Sequence, residues 1–209
     1  MERAENHPLR LALSTKRARL SAQERRRFEL YLAEILHALG LAETESTAAT
    51  PARLLQAWID ATSGYEADPK LVTLFPAEAG EPGGSAQVVE GPIAFTSLCE
   101  HHVLPFMGDA WVGYEVSDTM IGLSKLTRLV QRHARRFTMQ ERMGKDIARE
   151  LHTIVGARGT AVRIACTHLC TRMRGVREAG AVTTTATWLG SYEESESLRR
   201  EFLQLCEPR

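Results

Sequence analysis

The chain has 209 residues, 44% of them hydrophobic and 25% charged, with 26 Lys+Arg against 26 Asp+Glu. That composition supports an ordinary core and excludes a disordered or fibrous protein, while the charge balance gives no global pull toward nucleic acid or membrane. No apolar run approaches the roughly twenty residues of a membrane span, and the opening MERAENHPLRLALSTKRARL lacks a signal-peptide core, so the reading is a soluble, cytoplasmic protein.

Residues 1–45 read as a helical arm. Ser21 and Glu24 make a capping box, after which Phe28, Tyr31, Leu32, Ile35, Leu36 and Leu39 recur at helical spacing until Gly40. Thr50-Pro51 reads as an N-cap followed by a first-turn proline, opening a helix whose apolar face is Leu54, Leu55, Trp58 and Ile59. Residues 65–87, punctuated by Pro69, Pro76, Gly80, Pro82 and Gly83-Gly84, read as loop. From residue 88 the pattern changes to strands: Val88-Val89, Ile93–Leu98, Ala110–Val116 and Met120–Leu123. Ser124 then caps a helix carrying Leu126, Leu129, Val130 and Ala134, and a second helix spans 139–155 up to Gly156. Thr160–Thr167 and Val182–Leu189 are β-branched strands, and 195–206 is an amphipathic terminal helix. The sum is an α+β chain: a helical arm and connecting loop over 1–87, then a mostly antiparallel sheet with paired helices over 88–209.

The four cysteines, Cys99, Cys166, Cys170 and Cys206, are too few for a disulfide framework in a chain this long, which favours metal or catalytic use. Cys99-Glu100-His101-His102 offers a thiolate and two imidazoles in one turn, the mixture zinc prefers. His168-Leu169-Cys170 ends the strand from Thr160, and residues two apart on a strand share a face, roughly 6–7 Å apart. Three ligands (Cys99, His102 and Cys170) with an open fourth position form the catalytic pattern. A closed structural site would add Cys166. Along an extended strand Cys166 and Cys170 lie about 13 Å apart, too far to share one ion unless the strand breaks between them. His101 and His168 neighbour ligands and suit proton transfer to a substrate.

The helix from Ser124 carries Lys125, Arg128, Arg132, Arg135 and Arg136, and Arg172, Arg174 and Arg177 follow Cys170. Arginine runs on helices are usually solvated faces. Here Lys125 and Arg128 sit by a helix N-terminus and Arg174 beside the candidate ligand Cys170, which points to an anionic substrate such as a phosphate ester. Nucleic acid is disfavoured because interleaved aromatics and a net basic balance are both missing. Gln140-Glu141, at the start of the next helix, could accept the N–H groups of an amino-substituted heterocycle such as guanine.

Several motifs in order, Ser97-Leu98-Cys99-Glu100-His101-His102-Val103-Leu104-Pro105-Phe106, Ile121-Gly122-Leu123-Ser124-Lys125-Leu126, Gln140-Glu141-Arg142, and Thr167-His168-Leu169-Cys170 with Met173-Arg174-Gly175-Val176, resemble GTP cyclohydrolase I over roughly residues 50–205. The resemblance implies a T-fold assembled by strand pairing into a ring, commonly a homodecamer, with active sites at subunit interfaces. It implies a zinc-assisted opening of the guanine imidazole ring of GTP, release of formate, and closure to 7,8-dihydroneopterin triphosphate, the gateway to folate and related pterins. It makes Cys99, His102 and Cys170 the Zn2+ ligands, His168 a proton donor and His101 an acid–base assistant. Gln140 and Glu141 would read guanine, while Ser124, Lys125, Arg128, Arg174 and Arg53, the last from a neighbouring subunit, would hold ribose and phosphates. The chain departs from the family pattern at Gln56, where a lysine is frequent, at Ala165, at Gly113 and at Ala181. Two other readings stay open: a paralogue that stops at a formamidopyrimidine or takes a less phosphorylated guanine nucleotide, and a non-catalytic ring scaffold whose structural zinc has four protein ligands including Cys166. A T-fold reductase with a cysteine nucleophile lacks its motifs here.

Overall fold

The computed structural model describes residues 20–66, 68–72, 74–77 and 86–207, so the part of the expected arm before residue 20 lies outside it. Contacts divide the chain into a unit ending at Glu66 and a unit beginning at Ala67.

In the first unit, helix α1 (Ala22–Ala38) opens with the expected capping box: Glu24 N–H donates to Ser21 Oγ at 3.2 Å, and Ser21 N–H donates to Glu24 Oε2 at 2.8 Å. Of its expected apolar face only Leu32 is buried, while Tyr31, Ile35 and Leu39 are exposed. Helix α2 (Thr50–Ala61) corrects one expectation, because Thr50 is already helical and Ala49 stands at the cap position with no side-chain hydrogen bond. Pro51 still sits in the first turn, where its missing N–H costs nothing. Gln56 has two partners: Arg25 Nη2 donates to its Oε1 at 2.6 Å, and its Nε2 donates to Asp60 Oδ1 at 2.7 Å.

The second unit is built on a five-stranded sheet in the order β5-β2-β3-β6-β7, made from β2 (Gln87–Cys99), β3 (Pro105–Glu115), β5 (Phe137–Thr138), β6 (Gly159–His168) and β7 (Thr183–Gly190). All neighbours are antiparallel except β5, which pairs parallel to β2. The two segments expected at Val88-Val89 and Ile93–Leu98 are one strand, with a register shift between Glu90 and Ile93 that accommodates Pro92. A separate ribbon pairs β1 (Leu74–Pro76) with β4 (Thr119–Ile121), so residues 65–87 are not all loop. A strand of only three residues that ends on Pro76 leaves no alternation to read.

Helices α3 (Leu123–Ala134) and α4 (Gln140–Val155) cover one face of this sheet. Their buried Leu126, Leu129, Val130, Met143, Ile147 and Leu151 meet Phe95, Phe106, Ala110, Val112 and Ile164 in the main core. The alternate residues face the other side, where Ala161, Tyr192, Phe202 and Cys206 form a second cluster beneath α6 (Ser191–Glu194) and α7 (Glu196–Leu205). Thus both faces are covered, and the α+β expectation of an antiparallel sheet with paired helices is met. Ser124 is not the cap of α3. The chain leaves β4 at Ile121, Gly122 holds the extended cap conformation, and no side chain caps the helix. Gly156, at φ 61°, ends α4 as expected, in the left-handed region that glycine adopts without a Cβ clash.

Two contacts tie the helix pair to the end of the sheet that matters for chemistry. Gln131 Nε2 donates to Ala94 O at 2.6 Å, and Ser97 Oγ donates to Arg136 O at 3.3 Å. The C-terminal end of α3 is therefore fixed beside the last residues of β2.

Candidate metal centre and active site

The turn between β2 and β3 explains why a Cys-x-x-His pair closes here. Cys99 N–H donates to Leu104 O at 2.9 Å, and Val103 N–H returns to Cys99 O at 2.8 Å. Val103 stands at φ 55°, an unfavourable place for a β-branched residue, of order 1–2 kcal/mol. The strain is sustained by the hydrogen bonds on either side, and it turns the intervening histidines back over Cys99. Cys99 Sγ lies 3.6 Å from His102 Nδ1 and 3.9 Å from His101 Nδ1. Among the described residues these three donor atoms form a group that can hold a metal ion, all within 4.8 Å of one another.

Cys170 reaches the same place from a different element than expected. Strand β6 ends at His168, and Cys170 lies on a helical turn, α5 (Leu169–Arg172). The shared-face argument for His168 and Cys170 therefore fails. The turn nevertheless keeps the Cys170 thiol near enough to Cys99 for the two sulfurs to interact, although the metal-competent group contains His101 and not Cys170. Burial and the Cys99 sulfur push this thiol up from its usual range, and the Arg174 guanidinium pulls it back. Arg174 itself is exposed.

Cys166 belongs to another cluster. Its thiol donates to Gln140 Oε1 at 3.0 Å and stands 3.4 Å from His168 Nε2. Burial, reinforced by the Glu141 carboxylate, pushes it up to about 12, so it stays a thiol at neutral pH. The strand does break between Cys166 and Cys170, yet the two sulfurs serve different clusters. His168 Nε2 lies 3.0 Å from the same Gln140 oxygen, and its ring stacks on Phe106 with centroids 4.9 Å apart and planes 9° apart. Burial lowers the His168 pKa, and the nearby Glu141 carboxylate opposes that. Gln140 is 1% exposed, and its hydrogen-bonding groups are engaged inside the protein.

Three features to which the sequence assigns no role hold this arrangement. Strand β5 carries Thr138, whose carbonyl accepts from Glu100 N–H at 3.1 Å. Glu100 forms an ion pair with Arg142, joining the ligand turn to the first turn of α4. Phe106 supplies the stacking face for His168. A two-residue parallel strand and a single ion pair leave no periodicity to read.

Ser124, Lys125 and Arg128 lie elsewhere. They occupy the first turns of α3, whose other end packs beside Ser97. A helix of that length spans roughly 18 Å, so within one chain these residues sit far from the metal turn. Arg128 pairs with Asp68 at 3.6 Å. Arg53 is exposed on α2, in the first unit.

The sequence pattern of the family described as GTP cyclohydrolase I matches residues 28–207. The chain is similar to GTP cyclohydrolase 1 of Campylobacter lari, 39% identical over 86% of this chain and 94% of the relative. It is also similar to GTP cyclohydrolase 1 of Janthinobacterium sp. (strain Marseille), 39% identical over 89% of this chain and 90% of the relative. The solved archaeosine synthase QueF-Like in its apo form superposes with a TM-score of 0.40 at 12% identity, covering 53% of this chain and 98% of that one, too distant a likeness to inform the site. With a match across most of its length and the motif turn closed into a metal-competent group, this chain belongs to the GTP cyclohydrolase I family and is a hydrolase.

Proposed function

We propose that the chain is a zinc-dependent hydrolase that opens the imidazole ring of the guanine in GTP, releases formate and yields 7,8-dihydroneopterin triphosphate. The substrate is the one named by its relatives, GTP cyclohydrolase 1. The observation that carries the metal half is the 3.6 Å between Cys99 Sγ and His102 Nδ1. A sulfur at about 2.3 Å and a nitrogen at about 2.05 Å from one tetrahedral zinc are themselves about 3.6 Å apart. Cys99 and His102 are thus at zinc spacing, and with Cys170 as the third ligand one position is left free, as catalytic sites require. Zinc bound there supplies Lewis acidity for the hydrolysis.

The remaining roles fall to side chains. His168 holds and delivers a proton on the N7 side of the purine, and His101 assists from the exposed side of the turn. Glu141 accepts from the guanine N–H groups, with Gln140 behind it. Arg174 meets the nucleotide beside the metal. Ser124, Lys125, Arg128 and Arg53 hold ribose and phosphates from a neighbouring copy, since α3 carries the first three away from its own chain's metal turn. Strand β7 forms one edge of the sheet, and its open backbone groups suit pairing with another copy in a homodecameric ring. We take residues 88–209 as the catalytic T-fold domain, 1–87 as arm and connecting loop, and the cytoplasm as the place of action.

The test is incubation of the zinc-loaded full chain with GTP, following formate and the pterin by mass spectrometry. Both products are expected. A ring-opened product without formate would replace the reaction by its truncated form, and no conversion would overturn the proposal. For the metal, Cys170→Ala should lose zinc and Cys166→Ala should retain it. Loss of zinc from Cys166→Ala as well would mean a closed structural site.

A further inference from the structure

The carboxamide of Gln140 sits between two sets of groups whose chemistry leaves it one orientation. On one side, Ile164 O at 3.1 Å and Thr183 O at 3.0 Å are backbone carbonyls, which only accept, and Thr185 Oγ1 lies at 3.2 Å. The amide NH2 must face them, or three oxygens would crowd together in a site where Gln140 is 1% exposed. Oε1 consequently faces Cys166 and His168. A carboxamide oxygen cannot donate, so both neighbours must donate to it: Cys166 as S–H and His168 through Nε2–H. The stacking of the imidazole on Phe106 fixes the ring plane, and so two backbone carbonyls, acting through one side chain, decide which nitrogen of His168 carries its proton.

We propose that Gln140 is a positioning residue that locks the neutral His168 imidazole as its Nε2–H tautomer, leaving Nδ1 as the nitrogen that exchanges a proton with the substrate. This rests on His168 being the proton-transfer group. It gives the first residue of the Gln140-Glu141 pair a different task from the second: Glu141 reads the base, and Gln140 sets the acid–base group. Nitrogen Nδ1 takes up a proton and passes it on, while the Nε2–H···Oε1 bond stays in place throughout. Cys166, a second donor to the same oxygen, narrows its direction further.

The test has two parts. In the unsubstituted protein labelled with 15N at histidine, with His168 assigned by its loss in His168→Asn, two-bond correlation spectra should show a protonated Nε2 and an unprotonated Nδ1 at pH 8. The opposite tautomer would overturn the proposal, and this reading needs no catalysis and no variant that must fold. In Gln140→Leu, kcat for GTP should fall about tenfold or more with KM little changed, since an acid–base group loses its alignment while the base contacts remain. A raised KM with unchanged kcat would instead make Gln140 a substrate contact and defeat the proposal. If His168→Asn keeps full turnover, the catalytic reading of His168 fails by itself, while the spectrum still decides whether Gln140 sets the tautomer.

Discussion

Glu150 should be the most costly polar residue to truncate outside the active site. Its Oε2 accepts from His133 Nε2 at 2.7 Å and pairs with Arg132, pinning α4 to α3. The His133 side chain is 5% exposed, Arg132 16% and Glu150 25%. Burial pushes the Glu150 carboxyl up, but the His133 hydrogen bond and the Arg132 charge outweigh it and hold the carboxyl below its usual range. Burial lowers the His133 pKa, the Glu150 hydrogen bond and charge oppose that, and Arg136 and Arg132 add to the lowering, so the net shift keeps the imidazole neutral at pH 7.5. In Glu150→Ala the imidazole N–H stays buried without an acceptor, which costs about 1–3 kcal/mol. The partly wet Arg132 pair adds at most about 1 kcal/mol. The sum, about 1–4 kcal/mol, corresponds to a fall in Tm of roughly 2–16 °C for a chain of this size. Equilibrium urea denaturation at pH 7.5, metal-free and at fixed protein concentration, measures it. Replacing both partners, as in His133→Leu with Glu150→Met, should recover most of the imidazole's share of the loss, because the buried N–H that lacked an acceptor is gone. A single variant within about 0.5 kcal/mol of the parent, or a double variant no better than the single, would refute the reasoning.

The same pair predicts a pH dependence. Because folding lowers the His133 pKa, the unfolded chain binds its proton more readily. Stability is then full above the unfolded value of about 6.5 and falls below it by up to about 1.4 kcal/mol per pH unit, and Glu150 adds a loss only below about pH 4.3. Urea midpoints between about pH 7.5 and 5.5 should therefore fall more steeply in the parent than in His133→Leu, and parallel slopes would contradict the sign. Gly108→Ala should destabilise by about 3 kcal/mol or more, since its Cβ would stand 2.1 Å from Ala165 O and 2.5 Å from Cys166 Cα, forcing β3 and β6 apart. A near-parental urea midpoint would show that the pairing can shift at no cost.

The fold was legible where periodicity and local chemistry agree. The Ser21–Glu24 capping box, Gly156 at the end of α4, the β-branched strands and the apolar faces of α3 and α4 are each encoded within a few residues of where they act. The cysteine and histidine cluster was legible for the same reason, since Cys99 and His102 share one turn. The misses are tertiary. Ser124 carries a good cap chemistry, but β4 ends early enough for Gly122 to take that position. Cys170 looks like a strand residue until the chain leaves the sheet after His168. Gln140, read as a base contact from its place beside Glu141, turns inward because two sheet carbonyls distant in sequence, Ile164 O and Thr183 O, need its N–H groups. No local pattern records that demand.

The direction in which α3 runs bears on the proposed ring. Gln131 and Arg136 anchor the helix beside Ala94 and Ser97, which sends Lys125 and Arg128 away from the ligands of their own chain. If those cations serve the nucleotide at all, they serve one bound on another copy, and one substrate then needs two chains. Lys125→Ala damages one half of every site and Cys170→Ala the other half, so each variant alone should be nearly inactive. Mixed in equal amounts under conditions that let subunits exchange, they re-form sites in which both halves are intact. Random pairing makes that fraction about one half times one half, so about a quarter of parental turnover should return. Size-exclusion chromatography checks that both variants still assemble. A mixture no more active than its components, from subunits shown to exchange, would mean that Lys125 acts within its own chain, and α3 would then have to pack differently from the arrangement its hydrogen bonds to β2 impose.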